Sequence, residues 1–399
     1  MHPLSLPFVT LAFCSLSSIP PDTPPETAGK VKVFILAGQS NMEGKGFPEP
    51  LAYQVSQAEY RDRYQHFIKG GDFGNFTRKL RASLEADPRK PTYGWSVRKD
   101  VWVNFLKQRG DLTVGYGVPS KSFGPEYNFG HVVGDHFDEQ VLIIKTAWGG
   151  KSLGRDFLSP SSPLPSDDEF AEMAQDRNEQ TKKNNERNRK KHEEQNKDRP
   201  FTPRPLVTAA ELKQPYGHYY REMLAEVRQT LAELGQRFPG YQGQGYELAG
   251  FVWFQGWNDQ FTNEWASRYG EYLANFILDV RKDLEAPDLP FVIGQVGFDG
   301  QRQPARSKDG EDSARVKIKK GQLAMASHPK LSGKVRVVKT DRFWDMDADA
   351  IYRGKGGWSA DAEKWRRFGN DRPYHYYGSP WFFAQIGTAF GKAMLEMLD

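Results

Sequence analysis

The stretch from Lys30 to Ala37 (KVKVFILA) runs into Gly38 with scarcely a polar interruption. A short β-branched, apolar run that ends at glycine reads as a strand buried on both faces. The same pattern returns at Gln140 to Lys145 (QVLIIK), Glu247 to Phe254 (ELAGFVWF), Pro290 to Val296 (PFVIGQV) and Lys334 to Lys339 (KVRVVK). Apolar residues at helical spacing fill Gly217 to Leu234, Ala266 to Leu284, Ala314 to Ala326 and Pro380 to Leu398. Strands alternating with helices predict a three-layer α/β/α sandwich around a parallel sheet of about five strands. Ligands of such sheets bind beyond the carboxyl ends of the strands. The 399 residues are enough to bury a catalytic site in one large domain.

Other segments stand apart from this framework. Asp167 to Arg199 mixes Lys, Arg, Glu, Asp, Asn and Gln with almost nothing apolar after Met173, so residues 160–204 are expected to form a solvent-exposed insertion, helical or disordered. Gly70 to Tyr93 and Gly300 to Glu311 are polar loops expected at the rim of the site. Leu4 to Leu16 is apolar and is followed by small residues and a Pro/Thr-rich tail. That pattern predicts a signal peptide over 1–18, a linker over 19–29, one domain over 30–399 and a secreted or periplasmic protein. The run is too short for a comfortable membrane span, so no stable membrane insertion is expected once the signal is removed. The single cysteine, Cys14, lies in that run, which excludes an intramolecular disulfide and a cysteine-based metal site. With 55 basic against 51 acidic residues, the charge balance gives no footprint for a nucleic-acid partner.

The chemistry begins at Gly38-Gln39-Ser40-Asn41-Met42, directly after the first strand. A glycine before a serine at a strand's carboxyl end permits a tight turn that presents both the hydroxyl and its own N–H to a cleft. A serine in that place is either a helix cap or a nucleophile. Here the chain resembles the SGNH hydrolase superfamily, and within it the carbohydrate esterases that include acetylxylan esterases and sialate O-acetylesterase-like proteins. The resemblance runs from about Lys30 to the C-terminus and rests on four blocks in order. After the serine motif come Phe123-Gly124-Pro125-Glu126, then Trp253-Phe254-Gln255-Gly256-Trp257-Asn258-Asp259, then Asp371-Arg372-Pro373-Tyr374-His375-Tyr376-Tyr377-Gly378.

The resemblance implies the flavodoxin-like SGNH fold and a serine esterase that removes O-acetyl groups from carbohydrate, a polysaccharide or a sialic-acid type of substrate, through an acetyl-Ser40 intermediate. It makes Ser40 the nucleophile and His375 its base, with the N–H groups of Ser40 and Gly124 and the amide of Asn258 as the oxyanion hole. The family's Asp-x-x-His spacing is altered. Arg372 stands three before His375, so Asp371 is the favoured acid, with Asp345, Asp347 or a backbone carbonyl as alternatives. Gln39, Asn41, Glu126, Gln255, Asp259 and Gln295 are expected to contact substrate. The Lys145 to Leu153 stretch (KTAWGGKSL) looks like the family's glycine-rich loop near the site, and Trp148, Trp257, Trp344 and Trp358 are possible faces for sugar rings.

No histidine pairs with acidic neighbours at metal-ligand spacing, and His131 with His136 reads as ordinary polarity, so neither metal nor cofactor is expected. Two rivals stand beside the deacetylase: an SGNH lipid or aryl esterase, and a non-catalytic carbohydrate-binding protein, which the altered Asp/His spacing would suit. The sequence leaves the sugar and the oligomeric state open.

Overall fold

The computed structural model describes residues 29–71, 78–79, 94–119, 121–195, 198–302, 312–331 and 333–399. The signal-peptide reading and most of both expected rim loops therefore fall outside the described residues. Every expected strand forms: β1 (Val31–Gly38), β4 (Val141–Ala147), β5 (Tyr246–Phe254), β6 (Phe291–Gln295) and β7 (Val335–Lys339). Two more, β2 (Arg98–Phe105) and β3 (Gln108–Leu112), extend the sheet to seven in the order β3-β2-β4-β1-β5-β6-β7. All neighbours are parallel except the β2–β3 hairpin. The expectation of about five strands thus missed this hairpin, for a physical reason. β3 is polar (QRGDL) and lies at the sheet edge, where few side chains need be apolar. The buried Asn104 of β2 is satisfied by side chains instead, donating to Glu226 Oε1 at 2.8 Å and Thr230 Oγ1 at 3.1 Å.

β1 occupies the middle of the sheet, and its side chains divide between two cores as the period of two requires. Phe34 and Leu36 join one core with Phe129, Val133, Phe382 and Phe390. Val33, Ile35 and Ala37 join the other with Met223, Val227, Phe276 and Ile277. The first core is thereby covered by α3 (Pro125–Gly134) and α9 (Pro380–Leu398), the second by α5 (His218–Ala232), α6 (Asn263–Asp283) and α7 (Ala314–Ala324). Shorter helices α1 (Ser40–Glu43) and α2 (Pro48–Ser56) follow β1, and α8 (Met346–Arg353) follows β7.

The charged insertion forms a long helix, α4 (Asp167–Glu194), that buries only Phe170 and Ala174. A reciprocal capping box between Ser166 and Glu169 starts it. Two asparagines then tie it to the returning chain: Asn178 exchanges hydrogen bonds with the backbone of Val207, and Asn185 with that of Arg204. Among the described residues no helix is long and apolar enough to cross a membrane.

Candidate active site

The carboxyl ends of β4, β1 and β5 lie side by side, and each leads into a loop that supplies part of one site. Gly38 ends β1 against β5, where an added Cβ would stand 2.1 Å from the Phe254 carbonyl oxygen, so only glycine fits. The chain turns at once into α1, with Ser40 first. Trp148, after β4, donates its N–H to the Gly38 carbonyl at 3.2 Å and so sets the Gly149–Gly150 loop alongside. After β5, the Gly256 and Trp257 N–H groups both donate to Gln39 Oε1, at 3.1 and 2.9 Å, and Gln39 Nε2 donates to Asn258 Oδ1 at 3.3 Å.

The fourth component arrives from the far end of the chain. His375 Nε2 lies 3.0 Å from Ser40 Oγ, and His375 Nδ1 lies 2.9 Å from Asp371 Oδ2. A hydroxyl, an imidazole and a carboxylate therefore form one chain of hydrogen bonds, in which the imidazole can take the serine proton while the carboxylate fixes its tautomer. The turn over Pro373–Gly378 explains how an acid four residues before the histidine reaches it. Asn370 and Asp371 donate their N–H groups back to the Tyr377 carbonyl at 2.8 and 3.1 Å, folding the segment onto itself. Closing that turn puts Tyr376 and Tyr377 at φ +49° and +63°, a conformation that costs non-glycine residues about 1–3 kcal/mol each. Packing holds it: the Tyr376 ring stacks on Phe382 at 3.6 Å and its hydroxyl accepts the Gly297 N–H, while the Tyr377 hydroxyl donates to Asp349 at 2.6 Å. Asp345, an alternative acid, is buried elsewhere and caps α8 through the Ala348 N–H.

Several of the residues expected to contact substrate are engaged inside the protein. The Gly124 N–H, expected in the oxyanion hole, donates instead to Glu126 Oε1 at 2.9 Å. Glu126 is fully buried and ion-paired with Lys145 at 2.9 Å, and burial pushes its carboxyl up and the lysine ammonium down. Asp259, also fully buried, accepts the N–H groups of Leu153 and Gly154 at 3.0 and 2.8 Å and the Gln255 amide at 2.6 Å, with its carboxyl pushed up to about 6 by burial. Gln255 also donates to the Lys151 carbonyl, and Gln295 donates to that of Lys319 at 3.0 Å. These four side chains are buried and bond to neighbouring backbone and side chains of the protein. Gln39 does the same. Asn41 donates to the Tyr374 carbonyl at 3.0 Å, fastening the histidine turn to α1.

The remaining donors differ. Asn258 gives one amide N–H to the Gly150 carbonyl at 2.8 Å and has a second to offer. Among the described residues, the backbone N–H groups of Ser40 and Gly150 have no acceptor. Glu43, which the sequence reading passed over, joins the loops: it accepts the Gly149 N–H at 2.7 Å and pairs with Lys45 at 3.1 Å. Its position one turn beyond Ser40 was the available signal. Of the four tryptophans considered for sugar contacts, Trp344 is buried and donates to Asp349, and Trp148 packs on Phe157 and Tyr219. Trp257 stands beside the site with its ring 5.3 Å from that of Tyr374, itself 40% exposed, and Phe261, 70% exposed, continues the wall.

Known proteins bear on this arrangement in two ways. The chain aligns with solved structures at low identity. A protein from Arabidopsis thaliana is 13% identical over 92% of this chain and 98% of its own, with a TM-score of 0.46. A carbohydrate acetylesterase from Xanthomonas citri is 12% identical over 91% of this chain and 55% of its own, with a TM-score of 0.42. NanS is 12% identical over 78% and 79%, with a TM-score of 0.37. No curated protein sequence is a significant match. The family model for carbohydrate esterases described as sialic acid-specific acetylesterase matches residues 30–187 and 207–336, which include Ser40 and Asn258 and break at the charged insertion. With well over half of its length matched in this way, the chain belongs to that carbohydrate esterase family.

Proposed function

We propose that the protein is a serine esterase that releases acetate from O-acetylated carbohydrate through an acetyl-Ser40 intermediate. The observation that carries this reading is the hydrogen-bonded chain from Ser40 Oγ through His375 to Asp371. His375 Nε2 takes the Ser40 proton as Oγ attacks the acetyl carbonyl. The tetrahedral oxyanion is received by the N–H groups of Ser40 and Gly150 and the second amide N–H of Asn258, with Gly150 in the place first expected of Gly124. The imidazolium then protonates the departing sugar oxygen, and the C–O bond breaks to leave acetyl-Ser40. Water attacks this ester after giving a proton to His375, which returns it to Ser40 as acetate leaves.

Three features support carbohydrate as the alcohol. The family is one of carbohydrate esterases, the aromatic wall of Trp257, Tyr374 and Phe261 offers flat faces beside His375, and sugar rings pack on such faces. The non-catalytic binder loses its main support, because the lengthened Asp/His spacing is spanned by the turn over Pro373–Gly378. The test is acetate release from acetylated xylan, acetylated pectin and O-acetylated sialic acid, with a series of p-nitrophenyl esters beside them. Acetate release by the wild type, lost by at least about 10⁴-fold in kcat in Ser40→Ala, is the expected result. A preference for long acyl chains would instead favour the lipid esterase.

A further inference from the structure

A second recess has Asp371 in its wall. It is a cavity of 230 Å³ lined by Tyr352, Trp358, Arg366, Asp371 and Arg372 among others. We infer that this recess is a subsite for an anionic substituent, a carboxylate or a sulfate, carried by the sugar unit next to the acetylated one. The inference rests on the esterase reading of Ser40 for its biological meaning, though not for its test.

Charge is the first argument. Among the described residues lining the recess are two arginines, Arg366 and Arg372, and one acidic side chain, Asp371. That carboxylate is already engaged: Oδ2 meets His375 Nδ1 and Oδ1 accepts the Arg372 N–H at 2.7 Å. Glu49 approaches Arg366 only at 3.8 Å, beyond hydrogen-bond distance. Among the described residues the Arg372 guanidinium donates to one group, the Tyr352 hydroxyl, at 3.4 Å. The nearby carboxylates of Asp361 and Glu363 are occupied with the Lys364 N–H and with Arg367. An anion entering here thus meets two cations whose hydrogen-bonding capacity is largely unspent, and guanidinium groups suit carboxylate and sulfate oxygens through paired N–H donors.

Shape is the second. The Trp358 indole is 36% exposed, with the Arg372 guanidinium 5.3 Å from its ring centre. A guanidinium held on an aromatic face is oriented, and the exposed indole edge remains for a sugar ring. The volume falls below the roughly 300–1,000 Å³ of a complete ligand pocket, so the recess suits one ring or its charged substituent. The third argument is position. Asp371, which lines the recess, is joined through His375 to Ser40 by two hydrogen bonds of 2.9 and 3.0 Å, so the recess adjoins the proposed catalytic groups. With Trp257 and Tyr374 beside His375, aromatic faces lie near the reacting ester as well as in the recess, an arrangement for a chain of sugars.

The test uses full-length Ser40→Ala protein, so that binding is read without turnover. Calorimetry at low salt compares three probes: trigalacturonate, the same trisaccharide with every carboxyl methyl-esterified, and a sulfated galactotriose. The acidic trisaccharide, the sulfated one, or both should bind at least tenfold more tightly than the neutral ester, and the order of the two anions identifies the preferred group. The advantage should shrink in high salt and fall at least fivefold in Arg366→Gln and in Arg372→Gln. Equal affinity for charged and neutral probes, or no binding of any of them, overturns the inference, as does an anion preference that survives both arginine substitutions. Thermal unfolding of each variant separates a lost subsite from a lost fold. Turnover of p-nitrophenyl acetate by the wild type reports on the esterase reading by itself, so either proposal can fail alone.

Discussion

Glu43 and Asp371 mark how far single residues can be read from a sequence. The five-residue string around Ser40 pointed to a candidate nucleophile because its placement depends on local geometry, a glycine that β5 leaves no room to replace. Asp371 could be favoured over Asp345 and Asp347 but not singled out, because its reach depends on a turn that includes two left-handed tyrosines, which spacing rules do not anticipate. Glu126, Gln255, Asp259 and Gln295, expected to contact substrate, are buried and bonded within the protein. A polar side chain in a site motif looks the same on paper whether it faces a substrate or a buried N–H. Glu43 holds the Gly149 N–H and so fixes the direction of Gly150. Glu43→Ala is expected to lower kcat on p-nitrophenyl acetate about 10²-fold, the scale of a small misplacement at the reacting centre, with KM little changed. Glu43→Gln, which keeps an acceptor, should recover most of the loss. Equal defects in the two variants would show that the charge matters and not the hydrogen bond to Gly149.

At the scale of elements, long periodic segments were legible and tertiary-dependent ones were not. The strands of the sheet's centre and right half and the four long amphipathic helices follow from apolar periodicity alone, since their burial is what makes them form. The β2–β3 hairpin escaped because Asn104 is buried through partners on α5 and Arg237. The state of the charged segment was left open, and its helix depends on the Ser166 cap and on asparagine contacts 19 and 29 residues away in sequence. The turn carrying His375 depends on α8 in the same way. Asp349 receives hydrogen bonds from Tyr377, Trp344, Arg302 and Arg353, so it anchors the strained segment from below. Asp349→Ala leaves those donors without an acceptor and is expected to cost about 2–4 kcal/mol, read by chemical denaturation. Esterase activity should fall in the remaining folded protein. A variant of wild-type stability would mean that other contacts hold the turn.

The whole molecule brings together groups whose behaviour no segment reveals. His66 and His131, 65 positions apart, meet with ring centres 5.1 Å apart against Tyr127. Burial pushes both imidazoles down, His131 to about 3, with His66 and Arg98 adding to the effect on His131 and Asp100 opposing it. The unfolded chain therefore binds protons below about pH 6.5 that the folded state refuses, and stability present above that pH is lost as pH falls toward 3. Asp259 works against this between pH 6 and its unfolded value, because its folded carboxyl is pushed up to about 6. The informative measurement is accordingly a comparison of melting temperature between pH 7 and 5 for wild type and His131→Phe. The variant should lose less stability on acidification, and parallel curves would exclude the histidine pair as an acid-sensitive point. The same long-range assembly underlies the catalytic proposal, since Ser40 and His375 are 335 residues apart in sequence and 3.0 Å apart in space. Labelling with a fluorophosphonate, followed by peptide mass spectrometry, tests that claim most directly. The account predicts a single adduct on Ser40 in wild-type protein and its near-complete loss in His375→Ala. An adduct on another residue, or undiminished labelling of Ser40 without His375, would contradict it.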